Sequence, residues 1–384
     1  MIKLLTIIGA RPQIIKSSAI SRAIGRFAGQ IVEKTLHTGQ HYDEQMSGVF
    51  FRELGIPAPD INLGVGSGMH GEQTAAMILR IEQVLLDERF DGVILYGDTN
   101  STLAGAVAAS KCRVPIFHVE AGLRSFDMTM PEEINRVVCD HLSAILFAPT
   151  TTACGNLDRE GLVSSPVVFD QGRKRIVINC GDVMYDNSMY FAPLAESRSD
   201  VLLRYGLKKG SYILTTVHRA VNTDDSQRLT TIFRALLDIA EWDDVKVVLP
   251  IHPRTARLLP SQLDASVYDR VTHSDRFLLI PPASFYDIIV LEKNARIVMT
   301  DSGGVQKEAF FFERPCVIFR AETEWIEIVD NGAGFLADAD YNRILKGYKL
   351  LSYHKVSFPH LFGDADAAGR IITEILTYLN IKNR

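Results

Sequence analysis

The sequence predicts an α/β protein of two doubly wound domains whose sheet edges face a common cleft, and three observations lead there. The 384 residues exceed what one hydrophobic core usually holds. Short apolar runs rich in Val, Ile and Leu alternate with helical stretches along most of the chain, the pattern of parallel strands joined by crossover helices. Several of those runs end in a carboxylate, a histidine or a glycine turn, so reactive side chains collect at the carboxyl edges of the sheets, where open α/β sheets bind ligands.

The first half reads as follows. Lys3–Ile8 is a strand, and Gly9–Lys16 (GARPQIIK) turns into a helix, the glycine serving the tight turn. Arg11 and Lys16 put two cations near that helix start, which suits an anion such as a phosphate, although the same residues read equally as a solvated basic turn. Ile31–His37 is the second strand, and the polar run Thr38–Met46 follows it on the ligand side. Glu53–Asn62 carries Gly-Ile-Pro and Ala-Pro-Asp, a loop signal. Leu63–Thr74 (LGVGSGMHGEQT) is glycine-rich, a mobile loop before a helix over about Gly71–Glu88.

The central stretch, Tyr96–Arg136, holds the densest chemistry. Strand Gly92–Tyr96, a helix over about Asn100–Ala109 and strand Val114–Val119 form a βαβ unit, so the two strands lie parallel. Asp98 follows the first and Glu120 the second; neighbouring strands are ~4.8 Å apart, which brings both carboxylates to one edge. Pro131 opens the next helix, with Glu132 and Arg136 four residues apart on one face. Asp98 alone also reads as a helix N-cap, and Glu132 with Arg136 as a surface ion pair. That helix runs on through Val137–Leu142. Strand Ala144–Pro149, a helix around Asn156–Gly161, the turn-rich run Ser164–Arg175 and strand Ile176–Asn179 follow. The domain boundary is placed here, with domains at 1–175 and 176–365 and a C-terminal helix within 366–384 that packs back on the first.

The second half repeats the layout, with strands at Tyr212–Val217, Val245–Pro250, Phe277–Ile280, Ala295–Thr300 and Cys316–Phe319. His218-Arg219 stands at the end of the first of these. Asp301–Phe312 (DSGGVQKEAFFF) places Ser302, Gly303 and Gly304 at a helix start, so backbone N–H groups and the helix dipole face outward with no side chain in the way: a pyrophosphate cradle, although the same residues also read as a serine N-cap with glycines for close packing. Glu308, further along that helix, is suited to accept both hydroxyls of a ribose.

The bulk numbers exclude several classes. Lys+Arg 41 against Asp+Glu 46 gives a net charge of −5, which favours neither nucleic acid nor an anionic membrane. No run of eighteen apolar residues predicts a transmembrane span, and MIKLLTIIGARP lacks a cleavage signal and reads as the first strand. Five scattered cysteines, with no CxxC or Cys/His cluster, read as free thiols in a reducing cytosol rather than a zinc site. Nothing in the sequence supplies a metal or a redox cofactor.

GARPQIIK, YGDTNSTLAG, HVEAGLRS, MPEEINR, the strand-end His218-Arg219 and DSGGVQKEA, taken in order, resemble the non-hydrolysing UDP-N-acetylglucosamine 2-epimerases. HVEAGLRS with PEEINR is the specific part of the likeness, which extends to about Glu327. The resemblance implies a GT-B-like pair of Rossmann-like domains, UDP held mainly by the C-terminal one, a homodimer in the cytoplasm, and no cofactor. It implies C2 epimerisation of a UDP-2-acetamido sugar by anti elimination of UDP to a 2-acetamidoglycal, then re-addition. By position, Asp98, Glu120 and Glu132 are the acid/base and oxocarbenium-stabilising carboxylates, with Arg136 orienting or pairing with Glu132. Arg11, Lys16 and His218 meet the diphosphate, Ser302, Gly303 and Gly304 cradle it, and Glu308 holds the ribose. A GT-B glycosyltransferase, a hydrolysing epimerase and a UDP-sugar sensor that is not an enzyme are the alternatives.

The chain departs from the family pattern around the sugar pocket. His218-Arg219 is followed by Ala220-Val221-Asn222, Trp325 stands where many members carry an arginine, and the loop Ser125–Met130 is short. These features resemble the branch acting on modified sugars such as UDP-2,3-diacetamido-2,3-dideoxyglucuronate.

Overall fold

The computed structural model describes residues 1–40, 55–164, 167–169, 172–251 and 253–380. Residues 41–46 of the Thr38–Met46 run, 53–54 of the expected loop, and 165–166 and 170–171 of Ser164–Arg175 lie outside the described residues. The chain forms two compact units, one of Met1–Asn187 with His360–Arg384 and one of Ser188–Pro359.

In the first unit, β1 (Ile2–Ile8), β2 (Ile31–His37), β3 (Ile61–Asn62), β4 (Gly92–Tyr96), β5 (Ile116–Val119), β6 (Ile145–Ala148) and β7 (Ile176–Asn179) form one parallel sheet in the order β3-β2-β1-β4-β5-β6-β7. β4, β5 and β6 are buried along their whole length, which is why they read as apolar runs, with His118 on β5 the polar exception. Helices 70–87, 100–111 and 131–142 contribute Met77, Ile81, Ala104, Ala108 and Cys139 to the core against Leu95 and Ile116.

The second unit has six parallel strands: β8 (Tyr212–Thr216), β9 (Lys246–Pro250), β10 (Phe277–Ile280), β11 (Ile297–Thr300), β12 (Cys316–Ile318) and β13 (Gly334–Leu336), ordered β10-β9-β8-β11-β12-β13. Phe233, Leu236 and Ile239 from helix 226–242 and Tyr348 from helix 341–353 fill its core. Apart from β7, the two sheets have the same strand order, so β4 corresponds to β11 and β5 to β12.

Three expectations change. β7 pairs with β6 and completes the first sheet, and the units divide at 187/188 and again at 359/360, not at 175/176. Composition pointed to the turn-rich link before β7, but a link inside a sheet has the same composition as one between domains. Two short strands, β3 and β13, pass unnoticed in the sequence because two or three residues carry no readable period. Gly9 is needed for packing and not for its backbone angle: a Cβ there would lie 2.0 Å from Ser101 Oγ and 2.2 Å from Thr38 Oγ1.

The chain returns to the first unit at its end. Helix 367–380 packs on helix 11–25, burying Ile371, Ile372 and Ile375. Asp186 accepts the N–H groups of Ala367 at 3.0 Å and Ala368 at 2.8 Å, satisfying donors that a helix start leaves open. Burial pushes the Asp186 carboxyl up to about 6 against those two bonds, with Asp182 and Asp366 adding to the rise.

Candidate active site

In the first unit the carboxyl ends of β1 and β4 are tied together by Gln13. Its Oε1 accepts from Gly9 N at 2.8 Å and Ala10 N at 3.1 Å, while Nε2 donates to Tyr96 O at 2.8 Å and Thr102 Oγ1 at 3.0 Å. Past β4, Gly97 takes φ +59, and a Cβ there would sit 3.3 Å from Lys16 Nζ and 3.4 Å from Glu120 Oε1. Thr99, not Asp98, caps helix 100–111, its hydroxyl accepting from Thr102 N. Asp98 is therefore released from the capping role its position allows. Its carboxylate pairs with Arg136 and stays partly exposed, and its carbonyl accepts from Asn135 Nδ2 at 2.8 Å.

Glu120 follows β5 with φ +70, a left-handed conformation that costs a non-glycine residue about 1 kcal/mol or more. Its carboxylate is mostly buried and lies 2.5 Å from Lys16 Nζ. Lys16, expected to face an anion from outside, thus meets a carboxylate of its own unit. Arg11 is exposed at the start of its helix.

The pairing expected between Glu132 and Arg136 is not the one formed. Arg136 Nη1 binds Glu133 at 2.9 Å and Nη2 binds Asp98. Glu133 is 1 % exposed and also accepts the N–H groups of Ser125 at 3.0 Å and Phe126 at 2.9 Å. Burial works to raise the Glu133 carboxyl, but those two N–H groups and Arg136 hold it below its ordinary value. Two anchoring N–H groups from the preceding loop draw Glu133 inward, leaving Glu132 exposed on the first turn. A Glu-Glu pair gives no sequence signal for which of the two turns in.

Behind these turns is a buried charged network. His118, on β5, has Nδ1 at 2.7 Å from Asp140 Oδ1 and Nε2 at 2.8 Å from Gly97 O. Asp140 Oδ2 accepts from Gly122 N at 3.1 Å and meets Arg124 Nη1 at 2.8 Å, and Arg124 pairs with Glu160 through Nε at 2.6 Å and Nη2 at 2.8 Å. Burial alone would raise Asp140, but His118 and Arg124 keep its carboxyl below the usual range.

In the second unit Asp301, fully buried after β11, holds the turn after β8. Its carboxylate accepts from His218 N at 3.1 Å, Arg219 N at 3.0 Å and Asn222 Nδ2 at 3.1 Å, and His218 Nδ1 lies 3.2 Å away. The His218 side chain is about half exposed. Ser302 caps helix 303–311 through Val305 N. The cradle differs from expectation at one point, because a side chain does stand by it: a Cβ on Gly303 would lie 2.3 Å from Glu324 Oε1. Glu324 pairs with Arg320 at 2.7 Å; burial opposes its charge, but Arg320, and less strongly Arg219, hold its carboxyl below the ordinary value. Gly304 has open space beside it, its nearest neighbour Ser302 Oγ at 3.9 Å.

Glu308 shares a hydrogen bond with Glu292, which is 1 % exposed; burial, then the Glu308 charge, pushes the Glu292 carboxyl well above its usual value. Trp325, in place of a family arginine, is buried with Lys307 Nζ 4.0 Å from its ring centre. Among the described residues no group of three or more His, Cys, Asp or Glu is placed to hold a metal ion, and no helix is long and apolar enough to cross a membrane.

Two doubly wound units, one carrying cation-paired carboxylates at its strand ends and the other a glycine-opened helix with histidine and arginine beside it, define a class by fold, that of GT-B-like proteins. Likeness to Phytolacca americana UGT2 complexed with UDP-2fluoro-glucose and pterostilbene, with TM-score 0.58 and 12% identity over 99% of this chain and 94% of that one, shows the fold alone. The UDP-N-acetylglucosamine 2-epimerase family model matches residues 26–376. The chain is 46% identical over 370 residues, 96% of its length and 98% of the relative's, to the UDP-2,3-diacetamido-2,3-dideoxy-D-glucuronate 2-epimerase of Pseudomonas aeruginosa. The crystal structure of Methanocaldococcus jannaschii UDP-GlcNAc 2-epimerase in complex with UDP-GlcNAc and UDP matches with TM-score 0.82 and 40% identity over 98% of this chain and 100% of that one. The protein belongs to the UDP-N-acetylglucosamine 2-epimerase family.

Proposed function

We propose that the protein epimerises C2 of a UDP-2-acetamido sugar without hydrolysing it, and that Asp98 and Glu120 are the groups acting on the sugar. The observation that carries this reading is a pair of carboxylates at the ends of the neighbouring strands β4 and β5, each with its own cation, Arg136 for Asp98 and Lys16 for Glu120. In the reaction the C2–H bond breaks and a carboxylate takes the proton. The C–H electron pair forms the C1–C2 double bond, and the C1–O bond breaks with its electrons leaving on UDP. UDP oxygen then re-adds to C1 while C2 receives a proton on the opposite face. A base on each face is required, which two separately held carboxylates supply. Glu132, exposed on the first turn of its helix, serves as the third carboxylate, stabilising positive charge at C1.

On the same reading, Ser302, Gly303 and Gly304 receive the diphosphate on helix N–H groups, with His218 contributing charge as it departs. Glu308 accepts the ribose hydroxyls. The sugar is a modified 2-acetamido sugar, a reading supported by the short Ser125–Met130 loop, the buried Trp325 and the Pseudomonas relative. We infer a homodimer, which sedimentation checks, and a cytoplasmic location, with which five free cysteines are consistent.

Proton NMR of the enzyme with a UDP-sugar in D2O tests the reaction. Loss of the H2 signal, with the C2 epimer appearing and deuterium in recovered substrate, is the expected result with UDP-2,3-diacetamido-2,3-dideoxyglucuronate. Exchange with UDP-GlcNAc alone overturns the sugar and keeps the chemistry. Accumulation of free UDP and free sugar, or no exchange with either compound, overturns the reaction.

A further inference from the structure

We propose that His118 is a positioning residue held permanently as an imidazolium, and that through it one buried carboxylate, Asp140, fixes both turns that carry the acting carboxylates. The proposal rests on the reading of Asp98 and Glu120 given above. The charge state follows from hydrogen-bond logic. Nε2 of His118 faces the Gly97 carbonyl at 2.8 Å, and a carbonyl only accepts. Nδ1 faces Asp140 Oδ1 at 2.7 Å, and Asp140 is itself committed as an ionised acceptor, taking Gly122 N–H at 3.1 Å and Arg124 at 2.8 Å on Oδ2. With Asp140 ionised beside Arg124, both ring nitrogens carry hydrogen. A neutral ring would need the proton on Asp140 Oδ1 instead, next to the Arg124 guanidinium and in a site with no solvent exposure at either side chain.

The surroundings support that charge. Cys139 and Asp140 on helix 131–142, Arg124 after β5, Glu160 beyond it and Arg175 before β7 are the charged or titratable groups around the ring. Arg175 is turned to the carbonyls of Ser143 at 3.1 Å and His141 at 2.6 Å. His118 and Arg124 balance Asp140 and Glu160. Burial alone would lower the imidazole, but Cys139 and Asp140 bring it well above its ordinary value.

The geometric consequence is specific. Gly97 immediately precedes Asp98, and Gly122 is two residues past Glu120. Asp140 holds the second turn directly and the first through the His118 ring, so the separation of the two carboxylates is set by a rigid, charged spacer. A spacer of this kind acts on turnover, since displacement of a reacting group by about 1 Å costs on the order of 10²-fold, and it leaves nucleotide affinity alone.

The test uses the full-length enzyme. Nitrogen-15 NMR of the wild type is expected to show the His118 ring doubly protonated from pH 6 to pH 9. His118→Gln, which cannot bridge both acceptors as a charged donor, is expected to lose about 10²-fold in kcat with KM and UDP affinity within twofold. Glu160→Gln, which opens the outer end of the same network, is expected to lower Tm and keep kcat. A neutral His118 ring at pH 7, a His118→Gln kcat within threefold of wild type, or an equal loss of kcat in Glu160→Gln overturns the proposal. If His118→Gln does not fold, the wild-type ring spectrum decides alone. Asp98→Asn separates the two levels: if it keeps turnover, the reading of the site falls and the proposal with it; if it is inactive while His118→Gln is active, only the proposal falls.

Discussion

The two units lay the same strand order and then arm it oppositely. Just after β4 stands Asp98 and after β5 stands Glu120; in the turns after β11 and β12 stand Asp301 and Arg320. Asp98 and Asp301 look alike in the sequence, each an aspartate just past an apolar strand. Their surroundings separate them. The Asp301 carboxylate is fully buried, committed to the N–H groups of His218 and Arg219 and to the Asn222 amide. Asp98 gives its carboxylate to one guanidinium and remains partly open. A strand-end carboxylate consumed by main-chain donors builds a turn, and one left facing a cation and solvent is available for chemistry.

The largest effects should fall on the available carboxylates. Asp98→Asn and Glu120→Gln are each expected to lower kcat by ~10³-fold, within the range that general acid–base groups supply, with UDP affinity unchanged by calorimetry. Comparable losses of UDP affinity would erase the distinction between the units. Asp301→Ala should do the reverse: removing a buried acceptor of several donors costs about 3 kcal/mol of stability, read by urea unfolding, and UDP affinity falls as the His218 turn loosens.

The glycines sharpen the comparison at smaller scale. Gly97→Ala forces a Cβ into a left-handed position beside Lys16 and Glu120, which should cost about 1–2 kcal/mol and lower kcat. Gly304→Ala meets open space, so Tm should hold or rise slightly while diphosphate affinity drops. The effect furthest from the chemistry concerns Asp186, a carboxylate used, like Asp301, to bind main-chain N–H groups. Its folded pKa of about 6 lies above the ordinary 3.8. Its contribution to stability is therefore full below 3.8 and lost as pH rises through 6. The stability difference between wild type and Asp186→Asn should shrink by about 2 kcal/mol between pH 4 and pH 7.5, followed by thermal unfolding.

Periodic apolar runs made the two sheets legible, and positions after those runs picked out Asp98, Glu120, His218 and the Ser302–Gly304 turn. What stayed hidden was pairing across elements. Nothing in HVEAGLRS says that its histidine joins Asp140 some twenty residues on, because both are buried polar residues whose partner is set by tertiary contact. PEEINR could not tell which glutamate Arg136 takes, since spacings of three and four serve a helix equally. Gln13 was passed over within the run Gly9–Lys16, where the two cations drew the reading, although its amide is what joins β1 to β4. Glu324 lies beyond the helix it approaches, and only the close packing at Gly303 reveals it.

The route of the chain also has a consequence for synthesis. Ser188–Pro359 is an unbroken segment, whereas the first unit needs His360 onward to cover helix 11–25 and satisfy Asp186. On a ribosome releasing ~5–20 residues per second, the second unit can complete its core while the first still waits for its closing helix. A stop codon shortly after Pro359, far along the message from every acting carboxylate, would spare the second unit and expose the hydrophobic flank of the first to chaperones and proteases.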